Sequence, residues 1–211
     1  MSDIKQLISI IIPVFNESES IGFLLDEVIN IMLDHKFNFE LIVVNDGSKD
    51  NTHQILKQLT LKIRELLVIS LRKNYGQTAA MSAGFDNSKG DIVITLDGDL
   101  QNDPNDIPIL ISEINNGYDL ICGWRFDRKD KLINRKIPSK IANKLIAKVT
   151  GLKLHDYGCS LKAFKKEIID DIKLYGELHR FLPVLANIEG ARIKEIKVNH
   201  RSRQYGSSKY G

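Results

Sequence analysis

Cysteine is scarce: the 211-residue chain has two, Cys122 and Cys159, in unrelated contexts. That excludes a disulfide-stapled scaffold and suits a reducing compartment. His155 and Cys159 have a spacing that a metal pair could use. No second pair completes a zinc site, so both are read as ordinary buried or half-buried residues. Long apolar runs are missing as well. The longest, Leu7–Phe15, is too short to span a bilayer. No charged leader followed by an apolar core opens the chain, which is therefore expected to be soluble as it stands. Nor does one charge dominate. Thirty Lys and Arg against 27 Asp and Glu leave a net charge of +3, which excludes a strongly basic nucleic-acid binder. No G-x-G-x-x-G follows a strand and no G-x4-G-K-[ST] occurs, so dehydrogenase and P-loop readings lose their main support. Internal repeats and low-complexity segments are also missing.

The most informative segment present is Ile92-Val93-Ile94-Thr95-Leu96-Asp97-Gly98-Asp99-Leu100-Gln101. A short apolar strand ends in two carboxylates separated by one glycine. Like charges held close repel, and each resists leaving water. A divalent cation carrying a phosphorylated ligand offsets both costs most naturally.

The first half alternates strand and helix signals. Leu7–Pro13, Glu40–Asn45, Leu66–Leu71 and Asp91–Leu96 read as strands, and Ser18–Leu33, Asp50–Leu61 and Gln77–Asn87 as helices. Short apolar strands separated by helices predict a parallel sheet covered on both faces, with ligands at the strands' C-terminal edge. Three polar turns fall on that edge, after Pro13, at Asn45-Asp46-Gly47-Ser48 and at Asp97-Gly98-Asp99. Each alone could be an ordinary turn; their joint placement points to a site. In the second half Tyr118–Gly123 and Arg192–Val198 read as strands and Phe181–Ile188 as part of a helix. Trp124–Lys153 carries ten Lys and Arg against Asp127 and Asp130. Within it Ile137–Val149, opened by Pro138, has a basic amphipathic spacing. That helix could lie on a membrane surface or pack on its own domain. Residues 1–123 are thus expected to form a ligand-binding half and 124–211 a second half of one domain.

These segments resemble a known family. Ile11-Ile12-Pro13-Val14-Phe15-Asn16-Glu17, Val43-Val44-Asn45-Asp46-Gly47-Ser48-x-Asp50-x-Thr52 and Leu96–Gln101 are similar, in order, to three motifs of family 2 glycosyltransferases. Asn74-Tyr75-Gly76-Gln77 and Gly90-Asp91 fit as well. Asp156-Tyr157-Gly158-Cys159-Ser160, Gly176-Glu177-Leu178-His179-Arg180-Phe181 and His200-x2-Arg203-x2-Gly206-x-Ser208-Lys209-Tyr210 resemble the branch that glycosylates dolichyl and undecaprenyl phosphates. The resemblance implies a GT-A type α/β fold: a mostly parallel Rossmann-like sheet flanked by helices, with a C-terminal acceptor-side subregion carrying the basic amphipathic helix. It implies an inverting, metal-dependent transfer of a hexose from a UDP- or GDP-sugar to a polyprenyl phosphate at the cytosolic membrane face, with uridine slightly favoured.

Roles follow from the same resemblance. Asp97 and Asp99, helped by Gln101, would hold Mg²⁺ or Mn²⁺ against the donor diphosphate. Pro13, Phe15 and Glu17 would line the nucleoside pocket, with Gly76 and Gln77 beside the donor. Asp46 would accept a nucleobase N–H, as the sole carboxylate where relatives often place a second Asp at Asn45. Arg125, Arg135, Arg203 and Lys209 would meet phosphate, whose oxygens suit the guanidinium fork. Asp156 stands where the family pattern expects a general base. A phosphate monoester is already largely ionised near neutral pH and needs none. Asp156 is therefore expected to orient a basic residue or the sugar hydroxyls. Relatives in this branch commonly continue into transmembrane helices, so an anchor beyond Gly211 and a peripheral attachment through the basic helix both stay open. Transfer to a saccharide or protein hydroxyl, and a non-catalytic sugar-nucleotide-binding module, remain as alternatives. A nucleotidyltransferase ranks third, for want of a glycine-rich phosphate loop.

Overall fold

The computed structural model describes residues 6–127, 150–172, 174 and 176–205. Strands β1 (Leu7–Val14), β2 (Asn38–Asn45), β3 (Leu66–Ser70) and β4 (Ile92–Thr95) alternate with helices α1 (Ile21–Asp34), α2 (Thr52–Leu59) and α3 (Gln77–Asn87). The apolar runs and helical spacing place these elements correctly. In α1, for instance, Ile21, Leu24, Leu25, Val28 and Met32 recur at helical spacing and are all buried. After β4 come α4 (Ile107–Asn115), β5 (Leu120–Arg125), β6 (Lys162–Lys165), α5 (Lys166–Asp171), α6 (Leu182–Ile188) and β7 (Ile193–Val198). The basic helix expected at Ile137–Val149 lies outside the described residues.

Among the described residues, seven strands form one sheet in the order β3-β2-β1-β4-β6-β5-β7. Along β1, Ile8, Ile10, Ile12 and Val14 join one buried core while Ile11 joins the other, so the sheet is covered on both faces. Pairing is parallel except at β6, which runs antiparallel to both β4 and β5. The other six strands therefore end on a common edge, and β6 begins there, with Lys162 paired to Thr95. Pro13 is tolerated in the central strand β1 because pairing with β4 stops at Ile11.

Three of these elements have no counterpart in the strands and helices expected from the sequence. Helix α4 has its signal, Ile107, Leu110, Ile111 and Ile114 at i, i+3, i+4 and i+7, all buried. It is short and follows an acid-rich turn, which masks it. Strand β6 is four residues bounded by lysines. Lys162 is nevertheless buried, because its ammonium donates to the carbonyls of Cys159 and Tyr157. Helix α5 follows β6 directly, and only Ile169 of its six residues is buried.

Candidate active site

The turns leaving β1, β2 and β4 are tied to one another before any ligand is considered. Asn16 N–H donates to Ser48 Oγ at 2.9 Å, and Glu17 N–H to Thr52 Oγ1 at 2.9 Å. Lys49 N–H donates to Asn16 Oδ1 at 2.7 Å. Asn45 Oδ1 accepts Ser48 N–H at 3.0 Å, a local turn that an amide oxygen closes as well as a carboxylate. The β1 and β4 turns touch at Gly98, where an added Cβ would stand 2.7 Å from Val14 Cγ1. Glycine between the two acids is thus dictated by packing.

Asp97 and Asp99 project from this turn in different surroundings. Asp97 is half-buried, and its Oδ1 accepts the Gln77 side-chain amide at 2.8 Å, so the start of α3 orients it. Asp99 is buried; Oδ1 accepts Gln101 N–H at 3.0 Å, and Oδ2 lies 2.5 Å from Arg203 Nη2. Burial, and next the charge of Asp97, push the Asp99 carboxyl up to about 6, against the pull of Arg203. Glu17 is buried nearby, with Oε1 3.7 Å from Arg203 Nη1. Two carboxylates in one turn, one resisting ionisation through burial and then through the other's charge, suit a hard divalent cation. Among the described residues no group of three His, Cys, Asp or Glu side chains is placed to hold a metal. A cation bound by Asp97 and Asp99 would therefore take further oxygens from its ligand or from water.

Two of the expected site residues have partners within the chain. Asp46, read as a partner for a nucleobase N–H, is fully buried and accepts the backbone N–H groups of Tyr75 at 2.7 Å and Gly76 at 3.0 Å. It holds the loop that leads into α3, where Gly76 adopts φ +95°. Arg203, expected to meet phosphate, lies on Asp99. Pro13 is buried and Phe15 half-buried beside these turns. Arg135 and Lys209 lie outside the described residues.

At the end of β5, Arg125 grips Asp156 with its fork: Nε to Oδ2 at 2.7 Å and Nη2 to Oδ1 at 2.9 Å. The side chains are 14% and 12% exposed, so the pair is largely out of water. Burial raises the Asp156 carboxyl, but the Arg125 fork together with the Lys162 charge outweighs it and holds it below the usual carboxylate range. Glu195 Oε1 accepts Asp156 N–H at 2.8 Å and fixes the loop from below.

Sequence reasoning missed the residues that join the two sides. Asn102 Oδ1 accepts both Asp97 N–H at 3.2 Å and the Ser160 hydroxyl at 2.8 Å. Thr95 Oγ1 donates to Ser160 O at 2.6 Å. Ser160 belongs to the Asp156 motif, and Asn102 directly follows the acidic one, so adjacency was the available signal. Another is His179, whose Nδ1 sits 2.6 Å from Thr78 Oγ1 and docks a 3₁₀ turn, Leu178–Phe181, on the start of α3.

A doubly covered, mostly parallel sheet with an acidic pair at the end of a central strand is a GT-A type α/β fold. Among solved structures it is similar to glucosyl-3-phosphoglycerate synthase from Mycobacterium tuberculosis in complex with Mn²⁺ and UDP-glucose. The TM-score is 0.73 at 18% identity, covering 96% of this chain and 72% of that one. The profile of Glycosyl transferase family 2 matches residues 9–173, and the chain belongs to that family. It is 47% identical to dodecaprenyl-phosphate galacturonate synthase of Rhizobium johnstonii, over 97% of this chain and 62% of that protein. It is 43% identical to undecaprenyl-phosphate 4-deoxy-4-formamido-L-arabinose transferase of Proteus mirabilis, over 96% of this chain and 62% of that protein. The chain thus spans less than two thirds of the length of these curated relatives.

Proposed function

We propose that this chain is the catalytic part of an inverting glycosyltransferase that moves a hexose from a nucleoside-diphosphate sugar to a polyprenyl phosphate. The observation that carries the choice of acceptor is the two-bond grip of Arg125 on Asp156. A carboxylate committed to a guanidinium, and held below its usual pKa, is a poor proton acceptor. A hydroxyl acceptor needs such a base, whereas a phosphate oxygen attacks without one. Similarity to two enzymes named for polyprenyl-phosphate substrates supports the same reading.

On this reading the nucleoside lies against Pro13, Phe15 and Glu17, and Asp46 acts by holding the Tyr75–Gly76 loop beside it. Gln77 keeps Asp97 facing the donor diphosphate. A bound Mg²⁺ or Mn²⁺, held by Asp97 and Asp99 with Gln101 nearby, would neutralise charge on the leaving diphosphate. Arg125 is held by Asp156 where it can orient the acceptor phosphate, joined by Arg203, Arg135 and Lys209. The phosphate oxygen forms the new bond to the anomeric carbon as the bond to the nucleoside diphosphate breaks on the opposite face, inverting the centre. The donor is assigned to the uridine class ahead of guanosine. The site works at the cytosolic face of a membrane, reached peripherally or through an anchor in a longer protein. Among the described residues no helix is long and apolar enough to cross a membrane.

Incubating the protein with Mn²⁺, a short-chain polyprenyl phosphate and either a UDP- or a GDP-sugar tests this. Formation of a lipid-linked sugar phosphate with release of the nucleoside diphosphate is expected. Transfer only to saccharide or peptide hydroxyls would overturn the acceptor assignment, and no turnover with donor bound would favour a binding module.

A further inference from the structure

Arg203 is in an unusual position for a residue meant to bind phosphate. One nitrogen, Nη2, lies 2.5 Å from Asp99 Oδ2. The other, Nη1, is buried and has no hydrogen-bond partner among the described residues, with only a 3.7 Å approach to Glu17 Oε1. A guanidinium is fully used when both forks meet oxygens of one planar or tetrahedral anion. Here it is half-used, and it stands against the very carboxylate that a divalent cation would need.

The chain around Arg203 is fastened independently of it. Asn199 bonds both oxygens of Asp106, through its backbone N–H at 2.7 Å and its side-chain amide at 2.9 Å. His200 forms an isolated bridge with Asn102, and Arg201 N–H donates to Gln101 O at 2.8 Å. The Arg201 guanidinium spans Glu27 at 2.7 Å and Asp103 at 2.8 Å. Beyond Arg203, the Tyr205 ring lies parallel to Phe23 of α1. The strap therefore stays across the acidic turn whether or not Arg203 holds Asp99; only the side chain needs to move.

We infer that Arg203 is a resident counter-cation for the acidic turn, displaced from Asp99 by the incoming divalent cation and thereby released to bind the acceptor phosphate. The inference rests on the proposed reaction for its second half only. A compact divalent ion that also gathers phosphate oxygens outcompetes a single delocalised charge for the carboxylate. The released guanidinium can then satisfy both nitrogens on phosphate. The order of events is built in: cation and donor first, lipid phosphate second. Arg203 is a positioning residue for the first ligand and a binding residue for the second.

Titrating Mn²⁺ alone, without nucleotide, into the wild type and Arg203→Gln tests the first half, with free Mn²⁺ read by electron paramagnetic resonance. Removing the competitor is expected to tighten Mn²⁺ binding about tenfold, within the usual range of coupling between two ligands. Arg203→Lys, which keeps a charge, should stay near the wild type. Arg201→Gln, which loses only a tether, should not tighten. Unchanged or weaker Mn²⁺ binding in folded Arg203→Gln would overturn the inference, with circular dichroism confirming the fold. The second half is read with a short isoprenyl phosphate as probe. Mn²⁺ with UDP should raise its affinity in the wild type and leave it flat in Arg203→Gln; a rise of equal size in both would refute the release step. Tighter Mn²⁺ without any sugar transfer would sink the proposed reaction and spare the displacement. Transfer with unchanged Mn²⁺ affinity would do the reverse.

Discussion

Replacing Asp156 by Asn separates a proton acceptor from an arginine holder. The substitution keeps the shape and one carbonyl oxygen for Arg125 but removes the charge. With both partners largely buried, the uncompensated guanidinium should destabilise the fold by about 3 kcal/mol, the lower end for breaking a buried pair. The pH dependence has a definite sign. Asp156 is held below its ordinary value in the folded protein, so near pH 4 the unfolded chain binds more protons than the folded one. Its contribution is therefore fully present above the unfolded pKa and fades as pH falls towards the folded one. Urea melts from pH 7 to pH 3 should show that acid-side loss in the wild type, and less of it in Asp156→Asn. Kinetics decide the role. Loss of a general base costs about 10²–10⁴ in rate, whereas a slackened Arg125 should mainly weaken acceptor binding. Asp156→Asn is expected to raise KM for the lipid phosphate with kcat within about tenfold, and Arg125→Gln to add little on top of it. A kcat drop beyond about a hundredfold, not shared by Arg125→Gln and with unchanged donor affinity, would refute the argument and restore Asp156 as base.

Gly98→Ala should destabilise by about 1–3 kcal/mol because its Cβ would press on Val14; chemical denaturation measures it, and Val14→Ala should restore most of the loss. Asp46→Ala leaves two backbone N–H groups without their acceptor. It should cost about 2–4 kcal/mol and speed amide exchange at Tyr75 and Gly76 ahead of the rest of the sheet; unchanged exchange there would contradict the loop-holding role. Asp119 is held well below the usual carboxylate range, first by its hydrogen bonds from Arg192 and then, against the effect of burial, by Lys165. Its stabilisation is present at neutral pH and declines as pH falls below the unfolded value, so Asp119→Asn should flatten the stability profile between about pH 5 and 3. An equally steep acid limb in that variant would show that other carboxylates set it.

Much of the edge carrying the acidic turn was legible because its signals are local. Apolar runs ending in polar turns fix β1, β2 and β4, and parallel crossovers then bring the turns to one edge without any knowledge of side-chain contacts. What the sequence hid was pairing at long range. That Asp46 would spend its oxygens on Tyr75 and Gly76, or Arg203 settle on Asp99, depends on how loops 29 and 104 residues apart meet. The reversed strand β6 was concealed by its lysines, since a buried ammonium capped by carbonyls has no signature in hydrophobic periodicity. Asn102 and Ser160 are small polar residues whose joint role exists only once β4 and β6 pair.

The direction of β6 has a consequence for how the site is held. Asp97 and Asp99 hang from a strand leaving the sheet, so their position is set by the register of β4 against β1. Asp156 hangs from the chain entering β6, and Arg125 closes β5, the strand paired beside it. The acidic turn depends on the pairing of β4 with β1, and Arg125 on the pairing of β5 with β6 and β7. On the proposed reaction, the groups that hold the donor and those that meet the acceptor therefore answer to different pairings of one sheet, and a change in one register leaves the other's backbone contacts in place.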